Sequence, residues 1–76
     1  MDTATALCFI RQMFKELRNM DDEATALAQA LTGNYNAKVY SNKATAIDRH
    51  KQSLIECRQY FNRAFRGLLK ELATAE

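Results

Sequence analysis

The sequence has no proline, no tryptophan and only two glycines among its 76 residues. Proline and glycine are the strongest interrupters of helices, so their scarcity leaves long segments free to be helical. The two glycines, Gly33 and Gly67, are isolated from each other, which excludes a glycine-rich phosphate-binding loop. Because Gly33 lies near the middle of the chain, it divides the sequence into two segments of similar length.

Residues that bind metals or act as nucleophiles are also scarce. Cys8 and Cys57 have neither C-x-x-C nor metal-site spacing,. The only histidine, His50, lies seven residues before Cys57 on the same predicted helix, too far for a hydrogen bond between them,. The acids at 21–23 point in different directions around a helix and indicate a solvated patch. We expect no enzyme, no metal or other cofactor, no small-molecule substrate and a structural role for His50.

Charge and hydropathy give little sign of a membrane partner. The formal net charge is +2, with 47% hydrophobic and 26% charged residues, which is typical of a globular or coiled-coil chain,. The N-terminal segment reaches Arg11 before any long apolar run, so it resembles neither a signal peptide nor a transmembrane span. We expect a cytoplasmic protein with free thiols. A chain this short buries only a modest core, which a partner chain would enlarge.

The first half shows the alternating steps of three and four that are typical of a coiled-coil-like helix. We predict a helix over about 3–32, with Asp2 or Thr3 as N-cap. The residues expected at its contact with a second helix are Thr3, Ala6, Ile10, Met13, Leu17, Met20, Ala24, Leu27 and Leu31.

The second half carries an apolar row spaced by seven, which predicts a second amphipathic helix over about 41–73. Asn36 and Ser41 are both competent N-caps. Gly67 lies inside this helix, where close contact with the other helix is one explanation for it and chance is another. The row consists of Tyr40, Ile47, Leu54, Phe61 and Leu68, flanked by His50, Cys57 and Ala64.

The loop between these helices, about 33–40, is short. Gly33 suits the left-handed residue that ends a helix, and helices of similar length joined by a short loop pack antiparallel. The predicted fold is all-α, a single antiparallel two-helix hairpin of coiled-coil type. Dimerisation or a partner would complete it.

More apolar surface is present than one neighbouring helix can cover. The apolar arc of the second helix extends from Cys57 round to Leu69, and the first helix adds aromatic residues at the edge of its contact row. Such surface favours association, either with a second copy as a four-helix bundle or with the helices of another protein. The residues expected to bind a partner are Phe14, Ile55, Phe65, Leu69 and Leu72.

A short basic stripe offers an alternative function. Arg63, Arg66 and Lys70 share one outward side of the second helix, as expected of residues that contact phosphates. The acids Glu56 and Glu71 interrupt the stripe, so a solvated, salt-bridged helix side is the other interpretation. The segment 6–12 resembles the first helix of the dimeric helical hairpins that regulate plasmid copy number by binding RNA. That resemblance implies a small dimeric RNA- or DNA-binding regulator.

A second resemblance covers 33–61, the loop and much of the second helix. The glycine, the short polar stretch and the Ala-Lys-x-Tyr entry, here Gly33, Ala37, Lys38 and Tyr40, are similar to the small co-chaperones of bacterial type III secretion needle subunits. That family implies a helical hairpin that pairs with a helical-repeat chaperone and holds the needle subunit in the cytoplasm. The expected function is therefore a non-catalytic binding or assembly module, a chaperone or co-chaperone of a secretion-system subunit.

Overall fold

The computed structural model describes residues 3–74, and these form two long helices. Helix α1 spans Thr3–Leu31 and helix α2 spans Lys43–Ala73, with no strand in the described range. The two helices pack along their length, and the chain measures 53 × 17 × 14 Å. The predicted all-α helical hairpin is confirmed.

Contacts between distant residues show that the helices are antiparallel. The Nδ1 atom of His50, near the start of α2, lies 3.0 Å from the Oε2 atom of Glu23, near the end of α1. At the opposite end, the ring of Phe9 lies against Gly67. The start of each helix therefore lies beside the end of the other.

Helix α1 ends at Gly33 through a Schellman motif. Gly33 has a φ of 87°, a left-handed value that glycine adopts without strain,. Its N–H donates to the carbonyl of Ala30 at 3.0 Å, and the N–H of Asn34 donates to the carbonyl of Gln29 at 2.9 Å,. The predicted role of Gly33 as the left-handed terminator is confirmed.

Helix α2 begins two residues later than expected, because Asn42 is its N-cap. The Asn42 Oδ1 atom accepts a hydrogen bond from the N–H of Thr45 at 2.8 Å,. Asn36 instead accepts from the N–H of Lys38 at 3.0 Å and stabilises a turn inside the loop. The prediction that Asn36 or Ser41 caps α2 is therefore wrong. Asp2, an expected cap of α1, lies outside the described residues.

The line along which the two helices meet, here called the seam, buries small residues and one glutamate, with larger apolar side chains half-buried beside them. The only buried hydrophobic residues in the described range are four alanines, and no large side chain there is fully buried. The steps of three and four persist, but they follow a different set of positions. The seam comprises Ala6, Phe9, Met13, Glu16, Met20, Glu23, Leu27 and Ala30 of α1, and Ala46, His50, Ser53, Cys57, Ala64, Gly67 and Glu71 of α2.

This seam corrects the predicted contact row of α1. Leu17 is 45% exposed and Leu31 is 56% exposed, whereas Glu16, beside Leu17, is 5% exposed. Ala24 is exposed as well. The physical reason is size, because alanine, glycine and the polar residues let the helix axes approach while large leucines are left at the rim.

Candidate protein-binding face

The middle of the seam holds a buried carboxylate with polar partners on both helices. The Gln12 Nε2 atom donates to the Glu16 Oε1 atom at 2.8 Å. Burial raises the pKa of the Cys57 thiol, and Glu16 raises it further by its charge and by accepting the thiol hydrogen bond,. Because the thiolate is the reactive form, Cys57 is a weak nucleophile, and its interaction with Glu16 joins the two helices.

A second polar pair joins the helices nearer the loop. Glu23 is half-buried against His50, and the edge of the Tyr40 ring packs on the His50 imidazole with ring centres 5.3 Å apart. The expectation that 21–23 is a solvated patch is therefore wrong for Glu23, although Asp21 and Asp22 are exposed. The structure gives His50 a packing and hydrogen-bonding role between the helices.

These polar groups engage one another rather than converging on open space. Within 3–74, no buried side-chain nitrogen or oxygen lacks a hydrogen-bond partner. The same residues contain no group of three or more potential ligands placed to hold a metal ion. Neither helix, within its described length, is long and apolar enough to cross a membrane. The apolar surface is thus the most prominent feature of the chain that remains without a partner.

Large apolar side chains are concentrated on the outside of the hairpin. Phe14 is 60% exposed, although it lies in the middle of a regular helix. Phenylalanine side chains are usually buried when the core of a protein is complete. The large hydrophobic residues with at least 40% exposure are Leu7, Phe14, Leu17, Leu31, Val39, Ile55, Tyr60, Phe65, Leu69 and Leu72.

Half of these residues form one stripe on each helix: Leu7, Phe14 and Leu17 on α1, and Phe65 and Leu72 on α2. Their spacings, combinations of three, four and seven, keep them on one side of a helix that turns about 100° per residue. Half-buried neighbours at the rim of the seam continue both stripes. We call the combined surface the apolar face, and it consists of Leu7, Ile10, Phe14 and Leu17 of α1 and Leu54, Phe61, Phe65, Leu68 and Leu72 of α2.

A cleft on the opposite side shows that both stripes lie on the same side of the hairpin. This cleft of about 250 Å³ is lined by Phe9 and Gln12 of α1 and by Tyr60 and Arg63 of α2. Phe9 belongs to the seam, and Gln12, Tyr60 and Arg63 flank the seam on the side away from the stripes. The cleft shows that these flanks of the two helices lie next to each other on one side of the hairpin. The stripes occupy the opposite flanks, so they lie next to each other on the other side and form one continuous surface.

The structure divides the predicted partner-binding residues into two groups. Phe14, Phe65 and Leu72 belong to the apolar face, where Phe65 also packs edge-on against the Phe61 ring, with centres 6.4 Å apart. Ile55 and Leu69, 40% and 49% exposed, lie further round α2 on its outer side. The sequence already distinguished the two groups, because Ile55 and Leu69 lie in a different row, spaced by multiples of seven, from Phe65 and Leu72.

The basic stripe of α2 is exposed and carries no ion pair. The Arg63 guanidinium carbon lies 5.5 Å from the centre of the Tyr60 ring, a cation–π contact,. Arg66 borders a shallow depression beside Leu69, and Lys70 is exposed. Among the described residues the ion pair is between His50 and Glu23, so Arg63, Arg66 and Lys70 are not neutralised by carboxylates. The stripe is solvated, as the alternative interpretation expects, but no salt bridge within 3–74 involves it.

Comparison with protein families, with curated proteins and with solved structures finds no match to this chain.

Proposed function

We propose that the chain is a non-catalytic protein-binding or assembly module that works through its apolar face. The observation that carries the proposal is the contrast in burial between the seam and this face. The buried hydrophobic residues are alanines, whereas Phe14, Phe65 and Leu72 are 60%, 40% and 49% exposed. Exposed aromatic and aliphatic side chains on a rigid helix are the anchors that dominate protein interfaces.

The more specific form of the proposal is a cytoplasmic chaperone or co-chaperone of a secretion-system subunit. It is supported by the resemblance around Gly33, Ala37, Lys38 and Tyr40. In the structure Gly33 ends α1, and Ala37 and Lys38 lie in a separate turn of the loop, which the N–H of Tyr40 closes by donating to the carbonyl of Asn36 at 3.0 Å. The apolar face, which lies further along the hairpin toward the chain termini, offers a long, shallow surface suited to an amphipathic helix of a client or partner chaperone.

The test is co-purification of the full-length tagged chain from its native host. We expect it to retain a helical-repeat chaperone or a secretion subunit, and the double variant Phe65→Ser with Leu72→Ser to lose that protein while keeping its helical circular dichroism. The matched control is Ile55→Ser with Leu69→Ser, which removes side chains of the same exposure from the outer side of α2. Retention of the same partner by the face variant would overturn the proposal.

A small dimeric RNA- or DNA-binding regulator is the second candidate, and one observation favours it. Arg63, Arg66 and Lys70 are not paired with carboxylates within 3–74, which leaves their charge free for phosphates,. If they contact phosphates, changing all three to alanine weakens nucleic-acid binding and flattens its dependence on salt. The triple variant should leave the apolar face intact. Absence of wild-type binding to RNA and DNA at low salt eliminates this candidate.

A further inference from the structure

We propose that a second copy of this chain covers the apolar face, giving a four-helix bundle whose two-fold axis runs parallel to the helices. This inference rests on the general form of the proposed function, a binding module that works through the apolar face, and it places a second copy there instead of a client helix. Both loops then lie at one end of the bundle, and α1 of each copy packs on α2 of the other. Four observations support this arrangement: the surface area, the position of the large side chains, the pattern of charge, and the lack of ion pairs at Asp21, Lys51 and Arg58 within the described hairpin.

The accessible surface of the chain is larger than its mass requires. It amounts to 5739 Å², roughly 1,000 Å² above the ~4,700 Å² that size scaling gives for a compact monomer of this mass. A standard protein interface buries about 800 Å² on each partner. The excess surface of this elongated hairpin, which measures 53 × 17 × 14 Å, is therefore large enough to supply one interface of ordinary size per chain.

A second copy would also provide the core that the hairpin lacks. Four-helix bundles bury two adjacent sides of each helix, one against each neighbour. Here the seam uses one side of each helix, and the apolar face lies on the adjacent side. If the apolar faces of two copies pack against each other, they also bury the rows of residues, spaced by seven, that lie at the rim of the seam. These rows are Ile10, Leu17, Ala24 and Leu31 of α1, and Ile47, Leu54, Phe61 and Leu68 of α2.

Charge on the outer rows of the face decides the orientation. On α1 the outer row changes from apolar at Leu7 and Phe14, near the termini, to acidic at Asp21. On α2 it changes from apolar at Phe65 and Leu72 to basic toward the loop, at Lys51 and Arg58. The outer row of each helix is therefore apolar near the termini and carries charge nearer the loop, one acid on α1 and two bases on α2.

Two copies can pack their apolar faces together with the two-fold axis either parallel or perpendicular to the helices. Only the parallel axis matches the charge pattern along the full length of the helices. With the two-fold axis parallel to the helices, the apolar parts of the outer rows meet and Asp21 lies across from the basic residues of the second copy. With the axis perpendicular to the helices, fully overlapped copies place the apolar parts of these rows on the charged parts. Asp21 forms no ion pair with Lys51 or Arg58 within the hairpin, so their charges remain available for the second copy.

The first experiment measures mass by light scattering and sedimentation of the purified full chain. We expect twice the monomer mass of 8.7 kDa. Phe65→Ser with Leu72→Ser should raise the dimer dissociation constant by more than about tenfold, with helical circular dichroism retained at concentrations where both proteins are folded. Ile55→Ser with Leu69→Ser should leave the dissociation constant within about threefold of wild type, because surface changes outside an interface have small effects.

The second experiment exchanges charges across the proposed interface. Asp21→Lys should weaken the dimer, because it places a third cation near Lys51 and Arg58 of the second copy. Adding Lys51→Asp should restore dimerisation, and the difference between the single and double variants should shrink at high salt. Failure of the double variant to restore the dimer overturns the orientation.

The third experiment measures orientation directly. A spin label at Ala37→Cys in the loop, with Cys8→Ser and Cys57→Ser, reports the distance between the two loops. The parallel axis predicts a distance that is a small fraction of the 53 Å length of the chain. A distance close to that length shows the perpendicular arrangement and overturns the proposed axis.

The outcomes separate this inference from the proposed function. A monomer at high micromolar concentration overturns the second copy as occupant, and the function then stands if the face variant still loses a host partner. A dimer that the face variant leaves intact overturns the face itself and with it both proposals. Loss of the dimer in the outer-side control, with the face variant unaffected, moves the interface to Ile55 and Leu69 and overturns the arrangement.

Discussion

The seam and the apolar face run side by side along the same two helices, yet they differ in almost every chemical property. The buried residues of the seam are alanines and Glu16, which is 5% exposed, whereas the most exposed residues of the face are phenylalanines and leucines at 40–60%. Burial of apolar area is the main source of stabilisation. The face still exposes such area to water, so covering it would add more stabilisation than covering more of the seam. Close approach of the helices and specific polar contacts are what the seam provides.

Polar pairs in the seam also fix the register of the hairpin. Glu23 contacts His50, which is 27 residues away in the sequence. About two helical turns further along the seam, Glu16 interacts with Cys57,. A shift of one helix along the other would separate Glu23 from His50 and Glu16 from Cys57, leaving the buried Glu16 with Gln12 of its own helix as partner. Breaking one partner of a buried polar pair is more costly than losing an exposed ion pair, so the seam specifies one alignment.

The strongest way to break the seam is to enlarge a residue that has no space around it. Ala46 is 0% exposed, so Ala46→Leu should force the helices apart. We expect it to lower the free energy of unfolding by about 1–3 kcal/mol. Ala44→Leu is the control, since Ala44 is exposed two residues earlier and should change stability by less than about 0.5 kcal/mol,. Denaturant unfolding followed by circular dichroism measures both, and equal losses would show that the seam lies elsewhere.

Truncating one leucine at the rim of the seam and one on the exposed stripe compares the two regions directly. Sequence periodicity alone assigns Leu17 and Leu54 the same cost, about 2–5 kcal/mol for a buried leucine. The structure separates them, because Leu54 is half-buried and Leu17 is 45% exposed. In dilute samples we expect Leu54→Ala to cost about 2 kcal/mol and Leu17→Ala about 1 kcal/mol.

Arg18→Ala is the control for these leucines and should cost less than about 0.5 kcal/mol. Thermal melts that rank Arg18 or Leu17 above Leu54 would contradict the position of the seam. Repeating the melts at higher protein concentration sharpens the comparison, because a dimer built on the apolar face makes the loss at Leu17 grow with concentration.

Close packing at the terminal end of the seam is tested through Gly67 and Phe9. A Cβ atom added at Gly67 would overlap the ring of Phe9. Removing glycine from a helix interior gains about 1 kcal/mol, so Gly67→Ala should stabilise a Phe9→Ala background by about that amount. With Phe9 present the ring has to move, and the gain should shrink or reverse. A double-mutant cycle with no coupling would show that the two residues do not touch.

The smallest expected effect is the response of the seam to high pH. Burial and Glu16 raise the pKa of Cys57 above its ordinary value of 9.0. A raised pKa means that stability from the protonated thiol is complete below 9.0 and declines as pH rises past that value. We expect this decline in wild type to be reduced in Cys57→Ser.

Thiol chemistry gives a second measurement of the same contact. Cys8 is exposed, so an alkylating reagent should modify Cys8 before Cys57 at mildly alkaline pH,. Glu16→Gln removes the neighbouring negative charge and should speed modification of Cys57. Equal rates for the two thiols in wild type would contradict the raised pKa.

The helices and the break between them were predictable because their signals are local. Gly33 needs a left-handed conformation to end α1, and that requirement is visible in the amino acid itself. The N-cap of α2 was misassigned because several consecutive residues were competent caps. Only the chain path selects Asn42, which leaves Asn36 to stabilise a turn in the loop.

The sequence by itself determined that two amphipathic helices form, that they are antiparallel and that apolar side chains exceed what one hairpin can cover. Tertiary structure decided which side of each helix meets the other. Hydrophobic period identifies an apolar stripe but not its partner, and here small residues draw the axes together while leucines such as Leu17 remain outside. Contacts such as Glu23 with His50 depend on both helices at once, so no pattern within either helix could have located them,.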